Sequence, residues 1–154
     1  MKNELKITHI WSVICTGNSV DQATNNISLY NILEQLNIPK EALKIHKEES
    51  NKEKMININF EIVSFWKKKT KDENILAEEQ IEIIDPQGKI LGIQKFPFKI
   101  PANNQRMRFI LSMNGFKMTI PGDYIFQISA RDSEKNDFVA VASLPLQIAI
   151  AENL

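Results

Sequence analysis

The chain has 154 residues, with 19 lysines and arginines against 19 aspartates and glutamates, and 43% of its residues are hydrophobic. This profile is typical of one soluble globular domain over residues 1–154, long enough to build a core without a disulfide or metal staple. The zero net charge argues against a surface dedicated to nucleic acid or an anionic membrane, because such surfaces usually carry a clear basic excess.

The first predicted elements are the two strands of a hairpin. Residues 7–16 and 27–32 are mainly apolar runs, and a polar loop over residues 17–24 and the pair Asn25-Asn26 separates them. A turn or two of helix is predicted from Pro39 to Lys44, because proline suits the first helical position and good helix formers follow it. The charged tract at residues 47–54 is predicted to be a surface loop.

The clearest strand lies at residues 56–62, where apolar and polar residues alternate without a break. Since successive side chains of a strand point to opposite faces, this segment has one dry and one wet face. Further on, Asp85-Pro86-Gln87-Gly88 predicts a tight turn between strands at residues 81–84 and 89–93. Pro97 and Pro101 place the segment between them at a sheet edge, where a missing amide donor does least harm.

The last predicted strands cover residues 107–113, 124–130 and 138–151, and Ile110 and Ile125 are the exceptions to their alternation. Tyr124 follows Pro121-Gly122, so we expect its ring to enter the core and its hydroxyl to reach a nearby backbone group, as in a tyrosine corner. The inward positions of the strands predict one shared core made of Ile56, Ile58, Phe60, Ile62, Tyr124, Phe126, Ile128, Leu146 and Ile148.

These elements together predict an all-β fold. Roughly eight strands joined by mostly short turns are typical of an immunoglobulin-like antiparallel β-sandwich, with at most one short helix near Pro39 to Lys44.

The sequence carries no recognisable catalytic motif. Its one cysteine, Cys15, lies in an apolar run and is predicted to be buried and inert. The two histidines, His9 and His46, have no metal-ligand spacing, and His9 is predicted to be structural. HExxH, CxxC, GxSxG and glycine-rich phosphate-loop motifs are all missing, so we expect neither an enzyme nor a cofactor.

Two further residue sets are weaker site candidates. Tyr30, Trp11 and Trp66 either line a sugar-binding face or belong to the core, and the sequence does not separate these alternatives. The loop acids fall in separate turns, where aspartate is favoured for local hydrogen bonding, so we expect no calcium site from Asp21, Asp72, Asp85, Asp123, Asp132 and Asp137.

The local charge anomaly is the basic run formed by Trp66, Lys67, Lys68, Lys69 and Lys71. Cations beside a ring that can stack on bases are able to hold single-stranded nucleic acid or an anionic lipid headgroup. The competing and favoured interpretation is a solvated strand edge, where lysines keep another chain from pairing. If the protein binds anions, this run is therefore the predicted binding site.

Several segments together resemble a family of uncharacterised bacterial β-sandwich proteins with an immunoglobulin-like fold. They are residues 14–21, 26–30, 83–89, 111–116, 120–126 and 144–146. The resemblance spans nearly the whole chain and rests on turn and strand-edge motifs. It implies the sandwich fold and no activity or site residue.

The sequence therefore predicts a non-catalytic binding or assembly module whose partner is another protein or its own copy. The alternative is an anion, nucleic-acid or lipid-headgroup binder acting through the basic run, and a small hydrolase ranks third. We expect a cytoplasmic protein without a membrane span, because neither a signal peptide nor a continuous apolar stretch of about 18 residues is present.

Overall fold

A computed structural model describes residues 4–43 and 54–151. Within them the chain forms nine strands and one short 3-10 helix, Lys40–Leu43, so the predicted all-β class is confirmed. His46 and residues 47–53 of the predicted surface loop lie outside the described residues. The strands are β1 (Ile7–Val20), β2 (Ile27–Ile32), β3 (Gln35–Pro39), β4 (Lys54–Lys68), β5 (Ile75–Ile84), β6 (Ile90–Ile100), β7 (Arg106–Met118), β8 (Gly122–Arg131) and β9 (Val139–Ala151).

The strands form two sheets that enclose one hydrophobic core, as a β-sandwich does. The four-stranded sheet has the order β2-β1-β4-β7, and the five-stranded sheet has the order β3-β9-β8-β5-β6. Neighbouring strands in the described part are antiparallel with one exception, because β3 runs parallel to β9. The predicted antiparallel sandwich is confirmed for the other described pairs, and β3–β9 is the parallel exception.

The additional strand, β3, also raises the number of strands above the predicted eight. It is only five residues long and carries polar residues between its apolar ones, which makes its sequence signal weak. The chain leaves the four-stranded sheet after β2 and enters the other sheet beside β9, with Ile38 opposite Ile150. Because β3 and β9 lie far apart in the sequence, no hairpin turn fixes their relative direction.

The first strand of the first hairpin is longer than predicted, and the second has the predicted bounds. Residues 17–20, expected in the loop, continue β1, and the loop is confined to residues 21–26. Asp21 organises this loop by accepting hydrogen bonds at Oδ1 from the amides of Ala23 (2.7 Å) and Thr24 (3.0 Å). Both hydrogen bonds lower the pKa of the Asp21 carboxyl, and the one from the Thr24 amide has the larger effect.

The core contains the residues that the alternation pattern selects. Eight of the nine predicted core residues are buried, and Ile58 is partly buried against the others. At the centre the rings of Phe60, Phe116 and Phe126 pack edge to face, with centroids 5.6–6.0 Å apart. The prediction of one shared core is confirmed.

The predicted turn between β5 and β6 is present, and Asp85 holds it. The Asp85 Oδ1 atom accepts hydrogen bonds from the amides of Gln87 (2.9 Å) and Lys89 (2.8 Å). Its Oδ2 atom accepts one from the Thr119 hydroxyl at 2.6 Å, which is the first of the causes that lower the pKa of Asp85. Because Thr119 follows β7, Asp85 ties two separate turns together.

Tyr124 forms the predicted corner next to that turn. Its hydroxyl donates to the Ile120 carbonyl at 2.6 Å and accepts from the Thr119 amide at 3.0 Å, while the ring is fully buried. Gly122 adopts a φ of 143°, and a Cβ there would lie 2.8 Å from Pro86 Cγ. Close packing against the β5–β6 turn and the backbone conformation both require glycine at this position.

The edge position predicted for the segment near Pro97 is also correct. β6 is the last strand of the five-stranded sheet, and Pro97 lies within it. Exposed Lys95 and Lys99 flank the proline, and these features disfavour pairing of this edge with another chain.

Replacing Tyr124 with phenylalanine is expected to lower the free energy of unfolding by about 1–3 kcal/mol, because it removes both hydrogen bonds of the corner. Tyr30→Phe is the matched control, since Tyr30 is exposed and its hydroxyl bonds only Ser19. Urea unfolding of both variants measures the difference. Equal losses in the two variants would contradict a structural role for the corner.

Candidate functional site

The structure does not bring the predicted basic run together at the surface. Trp66 is fully buried in the core, where its ring stacks on Phe98 at 5.6 Å and meets the edge of His9 at 5.1 Å. β4 continues to Lys68, so Trp66 keeps the inward direction that alternation gives it. The Trp66 ring therefore cannot stack on a ligand at the surface, and its predicted place beside such a site is wrong.

Lys68 is buried as well and has a structural role. Its ammonium donates hydrogen bonds to the carbonyls of Glu73 (2.9 Å), Pro101 (2.9 Å) and Ala102 (3.0 Å). These carbonyls belong to the β4–β5 and β6–β7 loops, and Lys68 fastens the two loops to each other. With its three donors occupied in this way, Lys68 is not available to a surface anion.

The remaining lysines of the run, Lys67, Lys69 and Lys71, are exposed but are not gathered into one site. Lys67 lies on the outer face of the four-stranded sheet, opposite Arg106, whereas Lys69 lines a groove beside His9. β4 lies between β1 and β7, so the interpretation of the run as a strand edge is also wrong.

An apolar row crosses the outer face of the five-stranded sheet. The pairing register places Ile90, Ile84, Ile125 and Pro145 side by side on four consecutive strands. Ile90 is 50% exposed and Ile125 is 38% exposed, and Ile93, beside them on β6, is 51% exposed. We call these five residues the isoleucine row. Ile125, which breaks the sequence alternation, is a member of it.

The rest of this outer face is mixed, since Leu76 on β5 is 68% exposed, and several of its polar side chains pair with each other. Arg131 forms a salt bridge with Glu78 at 2.8 Å, and the guanidinium lies 4.3 Å from the centre of the Phe138 ring. Gln80 donates a hydrogen bond to Glu82 at 2.8 Å. The isoleucine row is thus an apolar strip beside a polar area whose members already have partners.

The outer face of the four-stranded sheet also carries apolar residues, and the β1–β2 loop covers part of it while Ile32 and Ile110 stay exposed. Arg108 on β7 donates a hydrogen bond to Asn25 at 2.9 Å, and Asn18 donates one to Glu61 at 2.6 Å. Because β7 lies two strands away from β1, the β1–β2 loop reaches Arg108 only by lying over this face. Consistent with this cover, Val63 and Cys15 are fully buried outside the main core.

The predicted burial of Cys15 is confirmed. Desolvation is the main cause that raises the pKa of its thiol, which disfavours the reactive thiolate.

A chain of buried and partly buried polar side chains links the two sheets. The His9 Nε2 atom lies 2.7 Å from Ser12 Oγ, and Ser12 Oγ lies 2.7 Å from Ser64 Oγ. The Ser64 hydroxyl then donates to Glu79 Oε1 at 2.6 Å. His9 and Ser12 belong to β1, Ser64 to β4 and Glu79 to β5, so the chain crosses from one sheet to the other.

Both ends of this polar chain have shifted pKa values. Burial raises the pKa of Glu79 from 4.5 to about 7, although the Ser64 hydrogen bond acts in the opposite direction. Burial also lowers the pKa of His9 below its usual 6.5. Glu79 Oε2 is buried without a hydrogen-bond partner among the described residues. A neutral Glu79 near physiological pH is therefore accessible.

His9 connects the polar chain to a groove of about 930 Å³ between the start of β1 and the start of β9. Leu5, Phe138 and Val141 supply apolar parts of its lining, and Lys69 lies at its side. The sequence analysis missed this arrangement because its members lie on three strands. The available signal was Glu79 itself, which occupies an inward position between the apolar residues of β5.

The order of groups differs from that of a hydrolytic triad. In such a triad the carboxylate orients the histidine and the histidine activates an accessible serine. Here Glu79 bonds Ser64, which is fully buried, and His9 lies at the far end. The arrangement is suited to moving a proton rather than to attacking a bound substrate. Among residues 4–43 and 54–151, no cluster of histidine, cysteine or acidic side chains has the grouping that a metal ion needs.

No protein-family model matches the chain, and neither does any curated protein. Among solved structures, the C-terminal domain of Wzt is similar over 98% of this chain and 78% of that chain, with a TM-score of 0.56 and 9% sequence identity. A β-glucuronidase from glycoside hydrolase family 2 is similar over 62% of this chain, with a TM-score of 0.48 and 15% identity. This chain spans only 11% of that enzyme. The Wzt similarity supports the fold alone.

The part of the chain that the structure describes contains no helix with the length and apolar character needed to cross a membrane.

Glu79→Gln is expected to change the pH dependence of stability. A folded-state pKa of about 7 against 4.5 means that ionised Glu79 destabilises the fold, fully above pH 7 and not at all below pH 4.5. The variant should gain on the order of 3 kcal/mol relative to the wild type between pH 4.5 and pH 8. Denaturant unfolding at both pH values measures this. A difference between wild type and variant that does not change with pH would contradict the assignment.

Proposed function

We propose that this protein is a non-catalytic binding module that docks a second copy of itself through the isoleucine row. The observation that carries the proposal is the contrast between the two outer faces. The β1–β2 loop covers part of the outer face of the four-stranded sheet and leaves Ile32 and Ile110 exposed there, whereas the exposed Ile90, Ile93 and Ile125 lie close together in one row. Contiguous exposed apolar residues with a polar rim are typical of protein interaction sites.

A second copy is the favoured occupant for two physical reasons. The net charge is zero, so two copies approach without overall repulsion. The residues next to the row carry both signs, Glu82 on β5 and Lys95 on β6, so a two-fold arrangement is able to set the acid of one copy near the base of the other. Pairing of copies at the β6 edge next to the row is disfavoured, because Pro97 and its flanking lysines lie along that edge.

The test is the mass of the protein in solution as its concentration rises. Sedimentation should show a weak dimer for the wild type, and the double variant Ile90→Lys and Ile125→Lys should weaken it at least about tenfold, equivalent to ~1.4 kcal/mol. The matched control is Ile32→Lys with Ile110→Lys on the other sheet, where the exposures are 54% and 38% against 50% and 38% in the row. Both double variants replace two exposed isoleucines with lysines, so they differ in the sheet that carries the changes.

A wild type that stays monomeric into the millimolar range would contradict self-association. Equal weakening by the control pair would show that the contact does not depend on the row.

Anion binding is the alternative function, and one observation favours it. Lys67 and Arg106 are adjacent cations on the outer face of the four-stranded sheet, and Arg108 follows on the same face. This site differs from the basic run of the sequence analysis, since it lacks Trp66 and Lys68.

Under the leading proposal, replacing Lys67, Lys69 and Lys71 with glutamine should leave folding intact and remove no affinity for vesicles containing anionic lipid or for single-stranded DNA. Exposed charges contribute little to stability, which supports the first expectation. Lys68→Gln is the contrasting variant and should destabilise the fold, because it removes bonds to three carbonyls. Salt-sensitive binding by the wild type that the triple variant abolishes would favour the alternative.

A further inference from the structure

The hydrogen-bonded chain from His9 to Glu79 has no fixed direction. A serine hydroxyl donates one hydrogen bond and accepts others, and a neutral histidine has one donor nitrogen and one acceptor nitrogen. Ser12 and Ser64 bond only within this chain among the described residues, and either of their oxygens is able to donate to the other. The direction is therefore set at its ends, by Glu79 and by His9.

An ionised Glu79 fixes the first direction. Its Oε1 only accepts, so Ser64 donates to it, Ser12 donates to Ser64, and the His9 Nε2–H group donates to Ser12. Neutral His9 then carries its proton on Nε2. Its Nδ1 is left as an acceptor, without a partner among residues 4–43 and 54–151.

A protonated Glu79 fixes the opposite direction. A proton on Oε2 would be a buried donor without an acceptor, because that atom has no partner among the described residues. A proton on Oε1 instead donates to Ser64, Ser64 donates to Ser12, and Ser12 donates to His9 Nε2. Neutral His9 must then carry its proton on Nδ1.

We propose that Ser64, Ser12 and His9 form a proton wire through which buried Glu79 exchanges a proton with the groove, and that this exchange switches the tautomer of His9. The step balances without any other reactant. A solvent proton adds to His9 Nδ1, the Nε2 proton passes to Ser12 Oγ, the Ser12 proton passes to Ser64 Oγ, and the Ser64 proton passes to Glu79 Oε1. One proton enters and the negative charge of Glu79 disappears.

The charged residues Glu4, Lys69, Lys135 and Asp137 also line the groove, but none of them is a member of the hydrogen-bonded chain that ends at Glu79. The neighbours of Glu79 on β6 and β8 are Phe96 and Ala130, and both are apolar. Arg131 and Glu78, next to these positions, form a salt bridge with each other. Lys68 is a cation at an inward position of β4, and its ammonium bonds three carbonyls. His9 is therefore the titratable group to which Glu79 is connected.

The consequence is a groove whose hydrogen-bonding character depends on a group in the core. Above about pH 7 His9 offers an acceptor at Nδ1, and below that pH it offers a donor there until the ring itself gains a second proton. The lowered pKa of His9 separates the two events. This inference is independent of the isoleucine row and of self-association.

Nitrogen-15 NMR of the histidine ring tests the wire in the full chain. A His46→Gln background leaves His9 as the single histidine, and a carbon-13 label on the glutamate carboxyls follows Glu79 in the same samples. As the pH falls through the Glu79 titration, the signal of Nε2 should change from that of a protonated nitrogen to that of a bare one. The Nδ1 signal should change in the opposite sense.

Ser64→Ala should uncouple the two groups, so that His9 shows only its own titration, and Ser12→Ala serves the same purpose if the buried Ser64 variant fails to fold. Ser112→Ala, at an exposed position of β7, is the control and should keep the coupling. Three results would overturn the proposal. They are a Glu79 that does not titrate between pH 5 and 9, a His9 tautomer that ignores the titration, and coupling that survives loss of either wire serine.

Discussion

The two-residue period of the β-strand is the constraint on which this structure depends. In a sandwich, every second side chain of each strand enters a space that contains no bulk water, so the inward positions must be apolar or fully paired. The core around Phe60 and Phe126 satisfies the first condition. The chain from Ser64 to Glu79 satisfies the second condition only in part, because one carboxyl oxygen remains unpaired. Burial of this carboxyl raises the pKa of Glu79 to about 7.

The same period also explains how much was predictable. The core residues, the Asp85 turn, the Tyr124 corner and the edge position of Pro97 depend on local alternation or on turn chemistry, and the sequence analysis found all four. It missed β3, because a short strand that crosses between sheets has no hairpin signal. It left Trp66 open between the core and a surface site and placed Lys68 at the surface, because it ended the strand too early and because a lysine that bonds three carbonyls is buried without a carboxylate partner.

The functional features were harder to predict because they depend on register between strands. In the sequence, Ile125 is only an exception to the alternation. The pairing register places it beside Ile84 and Pro145 and thereby makes it part of the isoleucine row. Ile110 was an equal exception, but it lies on the sheet that the β1–β2 loop covers in part. The link between His9 and Glu79 spans three strands and both sheets, so no local pattern contains it. Strand β5 supplies a residue to each feature, Glu79 on its inner face and Ile84 on its outer face.

The central claim is that the isoleucine row is the surface through which the protein binds its own copy. Amide NMR spectra of the wild type recorded over a range of concentrations test it directly, because they locate the contact without any substitution. Self-association through the row predicts concentration-dependent shifts that cluster at Ile84, Ile90, Ile93 and Ile125. Shifts that cluster on β1, β2 or β7, or spectra that do not change with concentration, would contradict it.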